Sequence, residues 1–205
     1  MKFRVIGLLA IALFLSSCGV VGRSDNASKG ESQINMQQGA EQVDQILDQT
    51  FSSIAPSVQW THGESDDVSC GAPDKDALPK GTVTRRRVVM TVVSPERRGS
   101  FLGVVERNWR KSGFTITGTR AHKDNPAIFA STPDDFQVSL IFGDKGQAFF
   151  EATTPCLDKS DVAPSKSETN GRNYAGSEIP YPDQQSDFWS EATSVPSSNP
   201  SKGSH

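Results

Sequence analysis

The sequence lacks the short motifs that mark the common enzyme classes. It contains no Gly-x-Ser-x-Gly nucleophile motif and no glycine-rich phosphate loop, because Gly143 and Gly146 belong to a predicted hairpin turn. Serine hydrolases of that type and nucleotide-binding enzymes are therefore disfavoured, and we expect no cofactor. The net charge is −3, and an acidic chain is a poor match for nucleic acid.

Cysteine and histidine are also scarce, with 3 of each in the whole chain. Their scatter excludes a structural zinc site, which needs four ligands close together. His62, Glu64, Asp66 and Asp67 form the one cluster with metal-binding residue types. One imidazole and three carboxylates would hold a divalent cation weakly, and the alternative is a solvated acidic loop.

Long apolar stretches are missing except at the N-terminus. Lys2 and Arg4 lead into an apolar run at residues 5–15, which is shorter than the about 20 residues of a membrane-spanning helix. The run ends in Leu-Ser-Ser-Cys, which resembles the lipobox of bacterial lipoproteins. The resemblance implies that residues 1–17 are a lipoprotein signal peptide and that Cys18 is acylated. The chain would then be anchored to the cell membrane on its extracytoplasmic face. An ordinary secretory signal is the alternative.

The other two cysteines are Cys70 and Cys156. If Cys18 is acylated, they remain as one pair in an exported chain. Pairs of this kind are usually bonded in an oxidising compartment. We expect one disulfide, and two free buried thiols are the alternative.

Composition divides the rest of the chain into three parts. Residues 18–33 are rich in Gly, Ser and Asn, which predicts a flexible tether, and residues 34–157 have the composition of a globular domain. Residues 158–205 are dominated by Ser, Pro, Asp, Asn and Gly, which predicts a disordered tail. Phe188 and Trp189 stand alone in that tail, where an aromatic pair would serve as a docking motif.

Hydrophobic periodicity predicts a mixed fold. The predicted elements are helix 34–54, strand 58–61, a long loop 62–81, strand 82–93, helix 95–113, a strand that starts at residues 114–117, and an antiparallel meander of strands 127–131, 136–142 and 147–154. We expect an α+β domain in which two helices pack on one face of a mostly antiparallel sheet of four to five strands.

Positive charge is concentrated between residues 81 and 123. The candidate anion-binding side chains are Arg85, Arg86, Arg87, Arg97 and Arg98. They would contact an anionic envelope polymer or lipid headgroups. Alternatively, they lie at an exposed strand end, pair with acids of the loop 62–76 and neutralise the acidic segments on either side once the chain is folded.

The order of these features resembles small cell-surface lipoproteins of actinobacteria. The shared features are the lipobox, the tether, the first helix, Trp60, Cys70, the arginine-rich strand, a helix ending in Trp-Arg-Lys-Ser-Gly-Phe, and Thr-Pro-Cys156. The resemblance covers roughly residues 1–157. It implies a location and an architecture but supplies no catalytic residues.

The sequence therefore favours a non-catalytic binding or accessory domain, held at the membrane by a lipid on Cys18. Its partner would be an envelope polymer or another protein. One alternative is an envelope hydrolase that uses the loop carboxylates of Glu64, Asp66 and Asp67, which would have to lie about 5–9 Å apart in a cleft. The other alternative is a sensor or inhibitor of a secreted partner.

Overall fold

The computed structural model describes residues 34–71 and 79–192. The chain divides into two units, Met1–Glu31 and Ser32–His205, and all described residues belong to the second. The predicted signal peptide, the cysteine it would expose and the tether lie outside the described residues. Within the part that the structure describes, no helix has the length and apolar character needed to cross a membrane.

Helix α1 spans Met36–Ser52 and confirms the first predicted helix. Asn35 begins it with a capping box: its side chain accepts a hydrogen bond from the backbone N–H of Gln38, and the Gln38 side chain accepts one from the backbone N–H of Asn35. The buried residues of α1 are Met36, Gly39, Ala40, Val43, Leu47, Thr50 and Phe51. They recur every three or four residues, so one face of the helix enters the core.

Helix α2 spans Pro95–Lys111 and confirms the second predicted helix. Proline suits the first helical position because its fixed φ is already helical. Ser94 occupies the N-cap position, but its hydroxyl donates to the carbonyl oxygen of Glu191, at 2.5 Å, and does not cap the helix. Gly113 follows the helix with φ +84°, a conformation that favours a residue without Cβ.

Eight strands of the described residues form a single antiparallel sheet. They are β1 (Trp60–His62), β2 (Asp66–Cys70), β3 (Lys80–Val89), β4 (Thr115–Arg120), β5 (Ala127–Ser131), β6 (Gln137–Phe142), β7 (Ala148–Thr153) and β8 (Leu157–Asp158). The order across the sheet is β1-β3-β7-β6-β5-β4, and β2 and β8 also pair with β3. The predicted α+β class is confirmed, but the predicted number of four to five strands is wrong. Strand β2 lies inside the predicted loop 62–81, where its exposed polar residues concealed an edge strand.

Strand β3 is long enough to pair with two strands on each edge. On its outer edge, β1 pairs with residues 87–89 and β2 pairs with residues 80–84. On its inner edge, β7 pairs with residues 84–89 and β8 pairs with residues 80–81. The outer edge of β3 is therefore shared by two short strands in series, joined by the linker 63–65.

Both helices pack on the same face of the sheet. The residues of this face in β3, β5, β6 and β7 are Arg85, Arg87, Val89, Ile128, Ala130, Val138, Leu140, Phe142, Ala148, Phe150 and Ala152. Phe101 of α2 lies edge-on to Phe142 and Phe150, with ring centroids 5.9 and 6.1 Å away. The Trp109 indole N–H donates to the Thr50 hydroxyl at 3.0 Å and joins α2 to α1.

The predicted disulfide between Cys70 and Cys156 is confirmed, with Cα atoms 6.0 Å apart. Cys70 ends β2, and Cys156 lies immediately before β8. Strands β2 and β8 pair with opposite edges of β3 near its first residue, Lys80. The disulfide therefore links the two strands that flank the start of β3.

Residues 159–192, called here the C-terminal segment, are not a disordered tail. Trp189 is fully buried; its indole N–H donates to the Pro56 carbonyl oxygen at 2.6 Å, and its ring lies edge-on to Phe101 at 4.9 Å. Upstream, the Asn170 side chain accepts from the Trp60 backbone N–H at 3.0 Å and donates to the Val58 carbonyl oxygen at 2.8 Å. The polar composition of the segment predicted disorder, but those polar groups bind the backbone along β1.

Candidate functional site

The three consecutive arginines of β3 alternate across the sheet. Arg85 and Arg87 point toward the helices, because they pair with Ala152 and Phe150 of the core face. Arg86 lies on the opposite face, where its Nε donates to the Glu151 carboxylate at 2.6 Å. Alternation is a property of every strand, so this run of like charge is divided between two environments.

Arg87 is a cation inside the core, with 1 % of its surface exposed. Its Nη2 donates to Asp48 Oδ1 at 2.7 Å, while Nε and Nη1 have no hydrogen-bond partner among the described residues. The guanidinium carbon lies 4.1 Å from the Trp60 ring centroid and 5.5 Å from that of Phe51, so ring quadrupoles stabilise the cation. Burial lowers the pKa of Arg87, and Asp48 and Asp44 act in the opposite direction.

Arg85 holds the C-terminal segment against the sheet. Its Nη2 donates to the Ala163 carbonyl oxygen at 2.5 Å, and its Nη1 donates to the Ser65 hydroxyl at 3.0 Å. Its Nε lies 3.9 Å from a carboxylate oxygen of Asp44 on α1. This arginine therefore connects α1, the linker 63–65 and the C-terminal segment.

Arg97 and Arg98 are buried at the start of α2, with 5 % and 7 % of their surfaces exposed. Arg97 Nη2 donates to the Glu191 carboxylate at 3.0 Å, and its guanidinium carbon lies 4.5 Å from the Phe188 ring centroid. Arg98 donates to the carbonyl oxygen of Asp124. Both side chains are committed to contacts within the chain.

The five predicted arginines consequently do not form one exposed anion-binding face. Four of them are buried and the fifth lies on the other face of the sheet. Their carboxylate partners come from α1, β7 and the C-terminal segment. The charge alternation along the sequence thus corresponds to ion pairs inside the fold, but the described partners lie in these elements and not in the loop 62–76 that the alternative interpretation named.

The predicted cluster of His62, Glu64, Asp66 and Asp67 is not gathered into a metal site. The three carboxylate residues are exposed, and Asp66 and Asp67 point to opposite faces of the sheet because they are neighbours on β2. Within the described residues, no group of three His, Cys, Asp or Glu side chains is placed to hold a metal ion.

His62 instead contacts the C-terminal segment. Its Nε2 lies 2.8 Å from the carbonyl oxygen of Ser167, so Nε2 carries the proton in this contact. The Ser167 hydroxyl donates to Asp48 Oδ2 at 2.9 Å, and Asp48 also binds Arg87. A chain of polar contacts therefore runs from the core arginine through α1 to His62.

Two cavities flank the linker 63–65, one on each face of the sheet. The His62 cleft, about 460 Å³, lies on the helix side and is lined by His62, Gly63, Ser65, Asp66, Asp67, Val83, Arg85, Val162, Pro164, Ser165, Ser167, Asn173 and Ala175. The sheet-face cavity, about 740 Å³, is lined by His62, Gly63, Glu64, Ser65, Arg86, Val88, Phe149, Tyr174, Ala175, Gly176, Ser177, Glu178 and Ile179. Both volumes fall within the range of about 300–1,000 Å³ typical of small-ligand sites.

The C-terminal segment forms the outer wall of both cavities, and sequence reasoning missed this entirely. Of the predicted site residues, the structure brings His62, Asp66, Asp67 and Arg85 to the His62 cleft and Glu64 and Arg86 to the sheet-face cavity. The missed residues, such as Ser167, Tyr174 and Ile179, come from the predicted tail. The aromatic pair Phe188-Trp189 was the one signal in that tail that pointed to burial.

Comparisons with known proteins add a weak structural likeness. No protein-family profile matches the chain, and no curated protein matches it. The fold is similar to the crystal structure of a DUF4853 family protein from Actinomyces odontolyticus, with a TM-score of 0.46 and 12 % sequence identity, over 73 % of this chain and 78 % of that one. A likeness this weak assigns neither a family nor an activity.

Proposed function

We propose that this protein is a lipid-anchored, extracytoplasmic binding domain without catalytic activity, and that its ligand site is the pair of cavities around His62. The observation that carries the proposal is the placement of these cavities between an edge of the sheet and the C-terminal segment. The sheet-face cavity combines apolar side chains, such as Val88 and Phe149, with the charged side chains of Glu64 and Arg86, and the His62 cleft is lined mainly by polar and charged residues.

The sequence supplies the argument for location. Residues 1–17 have the charge, apolar run and small residues of a lipoprotein signal, and Cys18 follows them directly. The disulfide between Cys70 and Cys156 agrees with export, because such bonds persist in oxidising compartments. A diacylated or triacylated cysteine would hold the domain at the membrane surface.

The test of anchoring compares the wild-type chain with Cys18→Ala in the native host. We expect the wild-type protein to carry an acyl adduct by mass spectrometry and to fractionate with membranes. Cys18→Ala should lose the adduct and the membrane association. A wild-type chain with an unmodified Cys18 would refute the lipid anchor.

The test of binding fills the cavities from their shared wall. Ala175 is exposed and lines both cavities, so Ala175→Trp should obstruct them without disturbing the core. We expect wild-type protein to co-sediment with purified cell-wall polymer from the host, and Ala175→Trp to lose most of this retention. Ala175→Ser is the matched control and should bind like wild type. Equal retention of all three proteins, or of none, would refute the polymer-binding role of these cavities.

A further inference from the structure

The outer edge of β2 has the properties of a docking site for an extended peptide. β2 pairs with β3 along all five residues, Asp66–Cys70, and the described residues place no second strand beside it. Four of its five residues are exposed, and Val68 exposes 60 % of its surface. Exposed edges of this kind are templates for pairing with another chain unless something protects them.

The backbone geometry identifies the free hydrogen-bonding groups. The Val68 carbonyl oxygen lies against Gly81 of β3, so Val68 directs its N–H and C=O inward. Residues of an antiparallel pair alternate between inward and outward pairs of backbone groups. The N–H and C=O groups of Asp67 and Ser69 therefore face the free edge, where they offer two donors and two acceptors.

The side chains beside this edge specify the chemistry of the partner. Asp66 and Val68 project on one face of the sheet and Asp67 on the other, as their pairing with Thr84, Thr82 and Val83 requires. A strand added antiparallel to β2 would place an apolar residue opposite Val68. Its next two residues would lie opposite Asp67 and Asp66, where opposite charges across a pair are favourable and like charges are not.

We infer that β2 binds a partner protein by strand addition, and that the partner strand has an apolar residue followed by two basic residues. This inference rests on the proposed binding function and adds a partner class and a mode of contact. The disulfide at Cys70 fixes the end of β2, so little order has to be gained on binding. The acidic side chains also discourage pairing between two copies of this chain, because Asp66 and Asp67 would repel their equivalents.

The test titrates the synthetic peptide acetyl-Thr-Thr-Val-Lys-Lys-Thr-amide into the wild-type chain. Binding is measured by NMR from the chemical shifts of the protein's backbone amides. We expect the largest shifts at the amides of Asp67 and Ser69. The peptide acetyl-Thr-Thr-Val-Glu-Glu-Thr-amide should bind at least about tenfold more weakly, from the loss of two favourable charge pairs. The double variant Asp66→Lys with Asp67→Lys should reverse this preference between the two peptides.

A backbone control separates strand addition from charge attraction. N-methylation of the peptide residues opposite Asp67 and Ser69 should abolish binding, because those amides meet the free groups of β2. N-methylation of the residues opposite Val68 and Asp66 should leave binding intact. Equal tolerance of both patterns, or shifts elsewhere on the domain, would overturn the inference. Suppose that the lysine peptide does not bind, while Cys18 is acylated and Ala175→Trp no longer co-sediments with the polymer. This inference is then wrong and the proposed function is retained.

Discussion

The outer edge of β3 is completed in two different ways along its length. At residues 87–89 the neighbouring strand is β1, and the C-terminal segment binds the free side of β1 through Asn170. At residues 80–84 the neighbour is β2, and the described residues place no further strand along the outer edge of β2. We call residues 87–89 with β1 the covered half of this edge, because the C-terminal segment binds β1. We call residues 80–84 with β2 the bare half, because β2 carries exposed residues.

This difference explains which contacts the domain needs and which it leaves available. The covered half contains the buried Arg87, Trp60 and Trp189, and any gap there would open the core to water. The bare half carries exposed side chains and is fixed to the rest of the sheet by the disulfide at Cys70. Stability is therefore expected to depend on the covered half and on the disulfide, and binding on the bare half and the cavities.

The largest expected effect comes from removing the disulfide that holds the bare half. The double variant Cys70→Ser with Cys156→Ser releases a loop closed over 86 residues. The chain-entropy treatment predicts a loss of about 4–5 kcal/mol in the free energy of unfolding. Urea denaturation of the variant and of chemically reduced wild type should give the same loss. A loss below about 1 kcal/mol in both would show that the disulfide does not hold the bare half.

The next effect tests whether the C-terminal segment belongs to the core. Trp189→Ala removes a fully buried ring that contacts Phe101, and truncations of this kind cost about 3–5 kcal/mol. Tyr181→Ala is the matched control in the same segment, since Tyr181 is 54 % exposed, and it should change stability by less than about 0.5 kcal/mol. Equal and small losses for both variants would mean that the segment is peripheral.

A smaller effect is expected at the contact between the C-terminal segment and β1. Asn170→Ala removes the hydrogen-bond acceptor of the Trp60 N–H and the hydrogen-bond donor to the Val58 carbonyl oxygen. Leaving such groups unsatisfied costs about 1–3 kcal/mol. Val68→Thr changes an exposed side chain in the bare half. Its free energy of unfolding should lie within about 0.5 kcal/mol of the wild-type value. Similar losses for the two variants would erase the distinction between the halves.

Local patterns predicted the helices, the disulfide and the α+β class because each of these depends on spacing or residue type. The periodic buried face of α1 and Pro95 at the start of α2 are such local signals. The strand β2 escaped prediction because its two faces are both exposed, so Asp66–Cys70 shows no apolar alternation. Strand β2 forms because it pairs with residues 80–84 of β3. The residues of β2 alone carry no signal of that pairing.

The candidate site was harder to predict than the fold for the same reason. The run Arg85-Arg86-Arg87 reads as one basic cluster, but burial beneath α1 depends on Asp44 and Asp48, which are about forty positions away. The walls of the His62 cleft come partly from residues 162–175, in a segment whose composition indicated disorder. The buried side chain of Trp189 helps to hold this segment on the domain. The average composition of a segment does not register the effect of one such residue.

Amide hydrogen exchange, resolved residue by residue on the full chain, tests the contrast between the two halves most directly. The account predicts slow exchange at Trp60 and at Ser94, whose N–H donates to the Trp189 carbonyl oxygen at 3.0 Å. It predicts fast exchange at Asp67 and Ser69, because their amides face the free edge of β2. Rapid exchange at Trp60 and Ser94 together with protection at Asp67 and Ser69 would contradict it.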